Sequence, residues 1–240
     1  MNVYETPSIA KRIAGNSYVG RGIVVGKSRD GKKAVIAYFI MGRSENSRNR
    51  VFIEKENGDV ITAPFDASKV KDPSLIIYSA IRSIENKLIV TNGDQTDTIY
   101  EGFERGECFF HSLKKREFEP DFPNFTPRIS AALTFGEGDF SYQMSILKSA
   151  DEKGTACNRY LFDYAALCGV GHFIHTYVCD GDPIPTFQGE PERVAIPNDI
   201  DEFTREIWDN LDSDNKISLF VRYTDLATGK TENRLINKNK

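Results

Sequence analysis

The chain has 240 residues, 40% of them hydrophobic and 28% charged, with a net charge of −4. That length suits one large domain or two small ones, and an aromatic share of 11% supports a sizeable core. The acidic balance argues against a general nucleic-acid binder, and no stretch approaches the roughly 20 apolar residues of a membrane span. Residues Met1 to Ser17 contain Glu5, Lys11 and Arg12 and lack the apolar run of a secretory signal. Cys108, Cys157, Cys168 and Cys179 show no CxxC spacing. They read as reduced, partly buried thiols, which points to a cytoplasmic protein.

Residues 1–17 read as an extension with a turn of helix around Ile9 to Ala14. Tyr18 to Gly26 reads as a strand. Its glycines, Gly20, Gly22 and Gly26, miss the dinucleotide fingerprint by one residue, and a strand follows in place of the required helix. Asp30-Gly31 predicts a hairpin turn, and Ala34 to Met41 is the return strand. Gly42 to Arg50 is polar, aperiodic and carries Arg43, Arg48 and Arg50, so it reads as a loop. A solvated surface loop is the usual reading of such a charge-rich stretch, yet three arginines within eight residues of an acidic protein suit an anionic ligand. Val51 to Ile53 pairs with Val60 to Ala63 around Asn57-Gly58, and Ser79 to Ile84 with Lys87 to Thr91 around Glu85-Asn86.

The second arm of that last hairpin runs into Asn92-Gly93-Asp94-Gln95-Thr96-Asp97-Thr98. An apolar strand, a Gly turn and a polar helix start can form an anion pocket, because the first backbone N–H groups of a helix lack partners. Taken alone, the stretch reads first as an ordinary helix start capped by Asp94 or Thr96, since caps are far commoner than ligand sites. Ile99, Phe103, Phe110 and Leu113 then sit at helical spacing, giving an amphipathic helix to about Lys115 with a bend at Gly106. Glu117 to Arg128 holds Pro120, Pro123 and Pro127 beside Glu117, Glu119 and Asp121. Prolines stiffen such a segment, and stiff loops hold reactive groups in place.

Ile129 to Phe135 and Phe140 to Leu147 form a further hairpin, followed by strands over Arg159 to Ala165 and His172 to Cys179. Residues 180–198 read as irregular. Ile200 to Leu211 is an amphipathic helix, and Ile217 to Thr224 with Thr231 to Ile236 closes the chain around Thr228-Gly229. Many antiparallel hairpins with two or three helices define an α+β class, and residues 18–240 read as a single domain. His172 and His175 lie three apart on a strand and face opposite sides, which disfavours a metal site. There is no P-loop, no G-x-S-x-G elbow and no histidine beside a clear nucleophile. Any chemistry rests on Arg, Tyr, Glu, Asp, Asn and Thr.

Four strings occur in order: Tyr18-Val19-Gly20-Arg21; Arg43-Ser44 with Asn49-Arg50; Thr91-Asn92-Gly93-Asp94-Gln95-Thr96-Asp97-Thr98-Ile99; and Asn124-Phe125-Thr126-Pro127-Arg128-Ile129-Ser130-Ala131-Ala132. Together they resemble the archaeal-type inosine monophosphate (IMP) cyclohydrolase family over about residues 18–236. The resemblance implies a four-layer αββα sandwich of the N-terminal-nucleophile-hydrolase type, without self-cleavage. It implies closure of 5-formamidoimidazole-4-carboxamide ribotide to IMP with loss of water. It places the catalytic groups on Arg50, Tyr78 and Glu119. On residues alone, Tyr78 follows Leu75, Ile76 and Ile77 and would be a core aromatic. Substrate contacts are expected from Arg21, Arg43, Asn92, Gly93, Asp94, Thr96, Asp97, Thr98, Thr126 and Arg128. The scheme needs no metal and no cofactor. The only expected partners are the nucleotide and, by the resemblance, further copies of the chain in a homo-oligomer. The segment before Tyr18 and the stretches Arg43 to Arg50 and Cys157 to Gly171 are longer than the archaeal pattern. Those lengths leave open a cyclase or amidohydrolase acting on another ribotide, and a catalytically silent nucleotide-binding protein is the alternative of a different class.

Overall fold

A computed structural model describes residue 2, residues 4–70 and residues 77–239. Leu75 and Ile76, expected beside Tyr78, lie outside the described residues. Among the described residues thirteen strands form two antiparallel sheets. The first has the order β11-β10-β1-β2-β12-β13, built from Glu192–Ala195, Val170–His175, Arg21–Lys27, Lys33–Met41, Lys216–Asp225 and Thr231–Asn237. The second runs β3 to β9 in chain order: Val51–Glu54, Val60–Ala63, Ser79–Ile84, Lys87–Thr91, Arg128–Phe135, Phe140–Ser149 and Cys157–Ala165. The α-helices among the described residues are α1 (Ala10–Ile13), α2 (Glu45–Arg48), α3 (Gln95–Glu104), α4 (Phe109–Leu113) and α5 (Ile200–Asn210). The class is α+β, as the hairpin pattern predicts.

The period-2 geometry of strands divides each central strand between two cores. On β2, Ile36, Tyr38 and Ile40 face the second sheet, where they meet Val60, Ile81, Val90, Ala131 and Met144. Val35, Ala37, Phe39 and Met41 face the other way, toward Phe203 and Ile207 of α5. Both faces are covered, so β1 and β2 read as near-continuous apolar runs without alternation. Full burial of each such side chain contributes about 1.5–3 kcal/mol. A third cluster joins Ile89, Ala132 and Leu147 of the second sheet to Ile99 of α3 and Phe109 and Leu113 of α4. Ile9 and Ile13, in the segment expected to be an extension, are fully buried in the α5 layer.

Several expectations change. The loop from Gly42 to Arg50 contains α2, because Ser44 and Ser47 close a reciprocal capping box. The helix expected to bend at Gly106 breaks there. Gly106 takes φ +74°, the Gly106 and Glu107 N–H groups donate to Phe103 O and Gly102 O, and the helix ends in a Schellman turn. Asp94 flanks α3 without capping it, since its carboxylate is drawn to arginines instead. Residues 180–198 include a strand, β11, which forms through its pairing with β10. Cys108, Cys168 and Cys179 are exposed, because none lies on a strand facing either core; Cys157, on the edge strand β9, is half-buried. Among the described residues no helix is long and apolar enough to cross a membrane.

Candidate active site

The odd strands β1, β3, β5 and β7 all begin at one end of the sandwich, and four side chains of interest stand at or just before those starts. Arg21 opens β1, Arg50 precedes β3, Tyr78 precedes β5 and Arg128 opens β7. Local structure fixes each one. Gly20 takes φ +76°, and a Cβ there would strike Thr176 Oγ1 and sit 2.6 Å from the Tyr177 ring, so only glycine admits the close approach. Arg21 N–H then donates to Thr176 Oγ1 at 3.1 Å. Arg50 is set by its neighbour: Asn49 Nδ2 donates to Asp66 O at 2.8 Å, and Asn49 Oδ1 accepts from Asp66 N–H at 2.7 Å. Tyr78 N–H donates to Thr62 Oγ1 at 3.1 Å.

Glu119 comes from the proline-rich segment between α4 and β7. Its N–H donates to Thr126 O at 2.9 Å, and Asp121 Oδ1 accepts from Thr126 N–H at 2.6 Å, which closes the loop on itself. Asp121 also accepts from the Thr126 hydroxyl, which lies 2.6 Å from the Tyr177 hydroxyl. Phe125 is held at φ +42°, a left-handed conformation that a non-glycine residue adopts at a cost of about 1–3 kcal/mol. Its ring packs edge-on against Phe118 and Phe122, and these contacts offset that strain.

These elements enclose a pocket of about 330 Å³, walled by Tyr18, Arg21, Arg43, Arg50, Glu119 and Thr126, with Asp121, Asn124 and Tyr177 among the other lining residues. Arg21, Arg50, Tyr78 and Glu119 are only 8%, 4%, 6% and 7% exposed. Burial of this kind makes each charge expensive unless it is paired. Yet Arg50 Nε and Nη1 and Arg21 Nε have no partner among the described residues. The Glu119 carboxylate likewise accepts no hydrogen bond among them. Burial raises the Glu119 pKa, against the pull of Arg21, Arg128 and Arg50. Burial, and then Arg21, lowers that of Arg50. For Arg21, burial opposes the charge, but Glu119 and the surrounding tyrosine hydroxyls outweigh it and the pKa rises. Burial also raises the Tyr78 pKa. A second opening, of about 380 Å³, lies at the other end near Asn86, Gly136 and Gly229. Its one deeply buried charge, Arg222, is already bound to Glu54, Gly58 O and Asn233.

The structure brings together Arg21, Arg43, Arg50, Glu119 and Thr126, with Tyr78 close behind them. Arg43 already donates to Asp180 and to Gly181 O, and its guanidinium covers the Tyr18 ring. The Asn92 to Thr98 segment does not line this pocket; Asn92, Gln95 and Thr96 are turned inward, whereas Asp94 is exposed and Asp97 and Thr98 are half-buried. Asn92 bonds Pro127 O and Ile129 N–H at 2.9 Å each, and Thr96 Oγ1 lies 2.6 Å from Thr91 Oγ1. Asp97 pairs with Arg82 at 2.8 Å, and Thr98 is half-buried on α3. Asp94 and Gln95 hold Arg128 Nη1 at 2.7 and 2.8 Å, and the absent side chain of Gly93 leaves room for it. Arg128 in turn acts on Glu119. Tyr18, Asp121, Asn124 and Tyr177 were not anticipated as wall residues. Asp121 and Asn124 lie in the stiff segment that the prolines mark, whereas nothing local distinguishes Tyr177 from other strand-end aromatics.

His172 and His175 bind no common group. His172 Nδ1 lies 2.6 Å from the Tyr142 hydroxyl and its ring stacks on Tyr164, and burial lowers its pKa to about 4. His175 Nδ1 faces Tyr177 O at 2.7 Å.

Comparison with known proteins defines the class. The model of the IMP cyclohydrolase-like protein family matches residues 18–230, so the chain belongs to that family. It is similar to proteins named IMP cyclohydrolase from Methanopyrus kandleri (34% identical over 124 residues, 50% of this chain and 60% of that one) and Methanocaldococcus jannaschii (32% over 127 residues, 52% and 61%). A relative of the same name from Methanosphaera stadtmanae is 35% identical over 126 residues, 50% of this chain and 60% of its own. The chain thus spans about 60% of the length of the curated relatives it matches.

Proposed function

We propose that this protein closes 5-formamidoimidazole-4-carboxamide ribotide to IMP, releasing water. One observation carries the reading: two buried guanidinium groups with unpartnered N–H donors face a buried carboxylate across one pocket. Unpartnered donors of that kind are preorganised for an oxyanion or anionic ligand. The family and its named relatives support the same reaction. The helix–sheet–sheet–helix layering supports a fold of the N-terminal-nucleophile-hydrolase type used without self-cleavage, in a single domain over residues 18–240 against which Ile9 and Ile13 of the preceding segment pack. The homo-oligomer implied by the resemblance belongs to the same proposal, and sedimentation measures it.

Both reacting groups sit on one substrate, so holding them in a near-attack pose supplies about 7 kcal/mol or more of the barrier reduction. Glu119 takes a proton from the carboxamide nitrogen as that nitrogen adds to the formyl carbon. Its raised pKa makes it a stronger base than an exposed glutamate. Tyr78 gives a proton to the former formyl oxygen, and Arg50 stabilises the charge that develops there. Glu119 then returns its proton to that hydroxyl, which leaves as water, while the ring nitrogen gives its proton back to Tyr78. Every proton is accounted for and no covalent enzyme intermediate forms. Arg21 and Arg43 bind anionic substrate oxygens, Thr126 supplies a hydroxyl, and the Asn92 to Thr98 segment acts through Arg128.

The test mixes the purified protein with the formamido ribotide and follows IMP by ultraviolet absorbance. Conversion supports the reading. Binding without conversion would make the protein a nucleotide sensor. Conversion of a different ribotide in preference would keep the chemistry and change the substrate, and neither binding nor conversion refutes the proposal.

A further inference from the structure

Behind the pocket lies a tyrosine that neither the motifs nor the family match singles out. Tyr38, in the middle of β2, is completely buried between the sheets, with its ring against Phe52. Its hydroxyl lies 2.7 Å from that of Tyr78, and this is its only hydrogen bond among the described residues. Two hydroxyls at that distance share one bond, and one proton is left over. If Tyr78 donated, the leftover proton would belong to Tyr38, enclosed where no acceptor exists, at a cost of about 1–3 kcal/mol. If Tyr38 donates, the leftover proton belongs to Tyr78. That hydroxyl lies nearer the pocket: Tyr78 stands just before the start of β5 and is 6% exposed, whereas Tyr38 sits in the middle of β2 and is fully enclosed.

We propose that Tyr38 is a positioning residue: it donates its hydroxyl proton to Tyr78 and so leaves the Tyr78 proton aimed into the pocket for the reacting oxygen of the substrate. The inference rests on the ring-closure reading and deepens it. Burial fixes the direction of the bond before substrate arrives. The same bond favours loss of the Tyr78 proton in the transition state, because Tyr38 continues to donate to the phenolate that forms. Tyr38 touches no substrate; it acts through Tyr78 alone.

The experiment is a double-mutant cycle in kcat and KM with Tyr38→Phe, Tyr78→Phe and the double variant. Tyr38→Phe should lower kcat about 10-fold, the worth of one hydrogen bond, with KM unchanged. On the Tyr78→Phe background the same change should have no further effect on kcat, a non-additivity that simple loosening of the core does not produce. Full activity of Tyr38→Phe, or the same loss on both backgrounds, overturns the inference. Absence of turnover in the unmodified protein overturns it together with the ring-closure reading, whereas turnover with additive losses removes only the Tyr38 role. Should Tyr38→Phe fail to fold, hydroxyl-proton exchange in the unmodified protein, read by NMR on labelled tyrosine, decides. The Tyr38 proton should be protected with and without IMP, and the Tyr78 proton only with IMP; the opposite pattern overturns the inference.

Discussion

Replacing Glu119 by Gln separates chemistry from stability, because the two should move in opposite directions. The side chain is 7% exposed and its carboxyl pKa is raised, with burial as the largest cause. A pKa raised above its unfolded value means that the folded protein binds the Glu119 proton more tightly than the unfolded chain does. At neutral pH the ionised form therefore costs stability, and the cost is relieved as pH falls through the folded pKa. Gln, a permanently neutral substitute of the same shape, should thus raise the melting temperature at neutral pH, and the difference from the unmodified protein should shrink in acid. Turnover should fall about 10²- to 10⁴-fold, the usual worth of a positioned base, or about 3 to 5 kcal/mol on the barrier. In the unmodified protein the acid limb of kcat should lie above the ordinary glutamate range. The assays are IMP formation across pH and thermal unfolding at neutral and acid pH. Unreduced turnover would remove Glu119 from the mechanism. Lower turnover with lower neutral-pH stability would show that the carboxylate serves the fold.

Three further outcomes follow from the same geometry. Arg50→Met removes buried guanidinium donors that lack partners, so kcat should drop about 10²- to 10³-fold while the melting temperature rises; a fall in melting temperature would contradict the picture of an uncompensated charge. Gly20→Ala puts a Cβ against Thr176 Oγ1 and the Tyr177 ring at positive φ, and denaturant unfolding should show a loss of about 1–3 kcal/mol with reduced activity. Asp94→Asn should raise KM by loosening Arg128. Burial opposes the Asp94 charge, but Arg116 and Arg128 outweigh it and hold its pKa low. Its stabilising effect is therefore lost only as pH falls below the usual carboxylate range. Because the carboxylate is about half exposed, that effect is under about 1 kcal/mol and binding is the better readout.

How far the sequence could be read depended on whether a signal was local. The hairpin of β5 and β6 is legible to the residue, because apolar runs meet a two-residue polar turn at Glu85-Asn86. The helix α5 is legible because Ile200, Phe203 and Ile207 repeat at helical spacing; the structure adds that Asp199 caps it by accepting from Glu202 N–H. β11 was not, because Pro191 and Pro197 flank it and only its pairing with β10 makes it a strand. The polar run from Asn92 to Thr98 looks like a ligand site, since nothing local reveals that β7 will pack beside it and absorb its donors and acceptors. Tyr38 lies among Ile36, Phe39 and Ile40 and differs from a core aromatic only through a partner 40 residues away.

The site's location has a topological cause. In these sheets β1, β3, β5 and β7 run in the same sense, and the tight turns at Asp30-Gly31, Asn57-Gly58, Glu85-Asn86 and Gly136 to Asp139 all close the opposite end. Turns of two to five residues have no length to spare for a binding wall. The long connections therefore fall at the end where the odd strands start: the Arg43 to Arg50 stretch with α2, the Glu117 to Thr126 segment and the chain after β10. Loops on a rigid scaffold are where binding groups collect, because the strands fix their roots while the loops supply reach. Arg21, Arg50, Tyr78 and Arg128 are the roots, each within a residue of a strand start, and Glu119 and Thr126 are the reach. It follows that lengthening the Asn57-Gly58 turn should leave KM and kcat unchanged, while the same insertion between Asn46 and Asn49 should abolish binding by displacing Arg50. Equal damage from both insertions, measured by IMP formation, would contradict a site confined to one end of the sandwich.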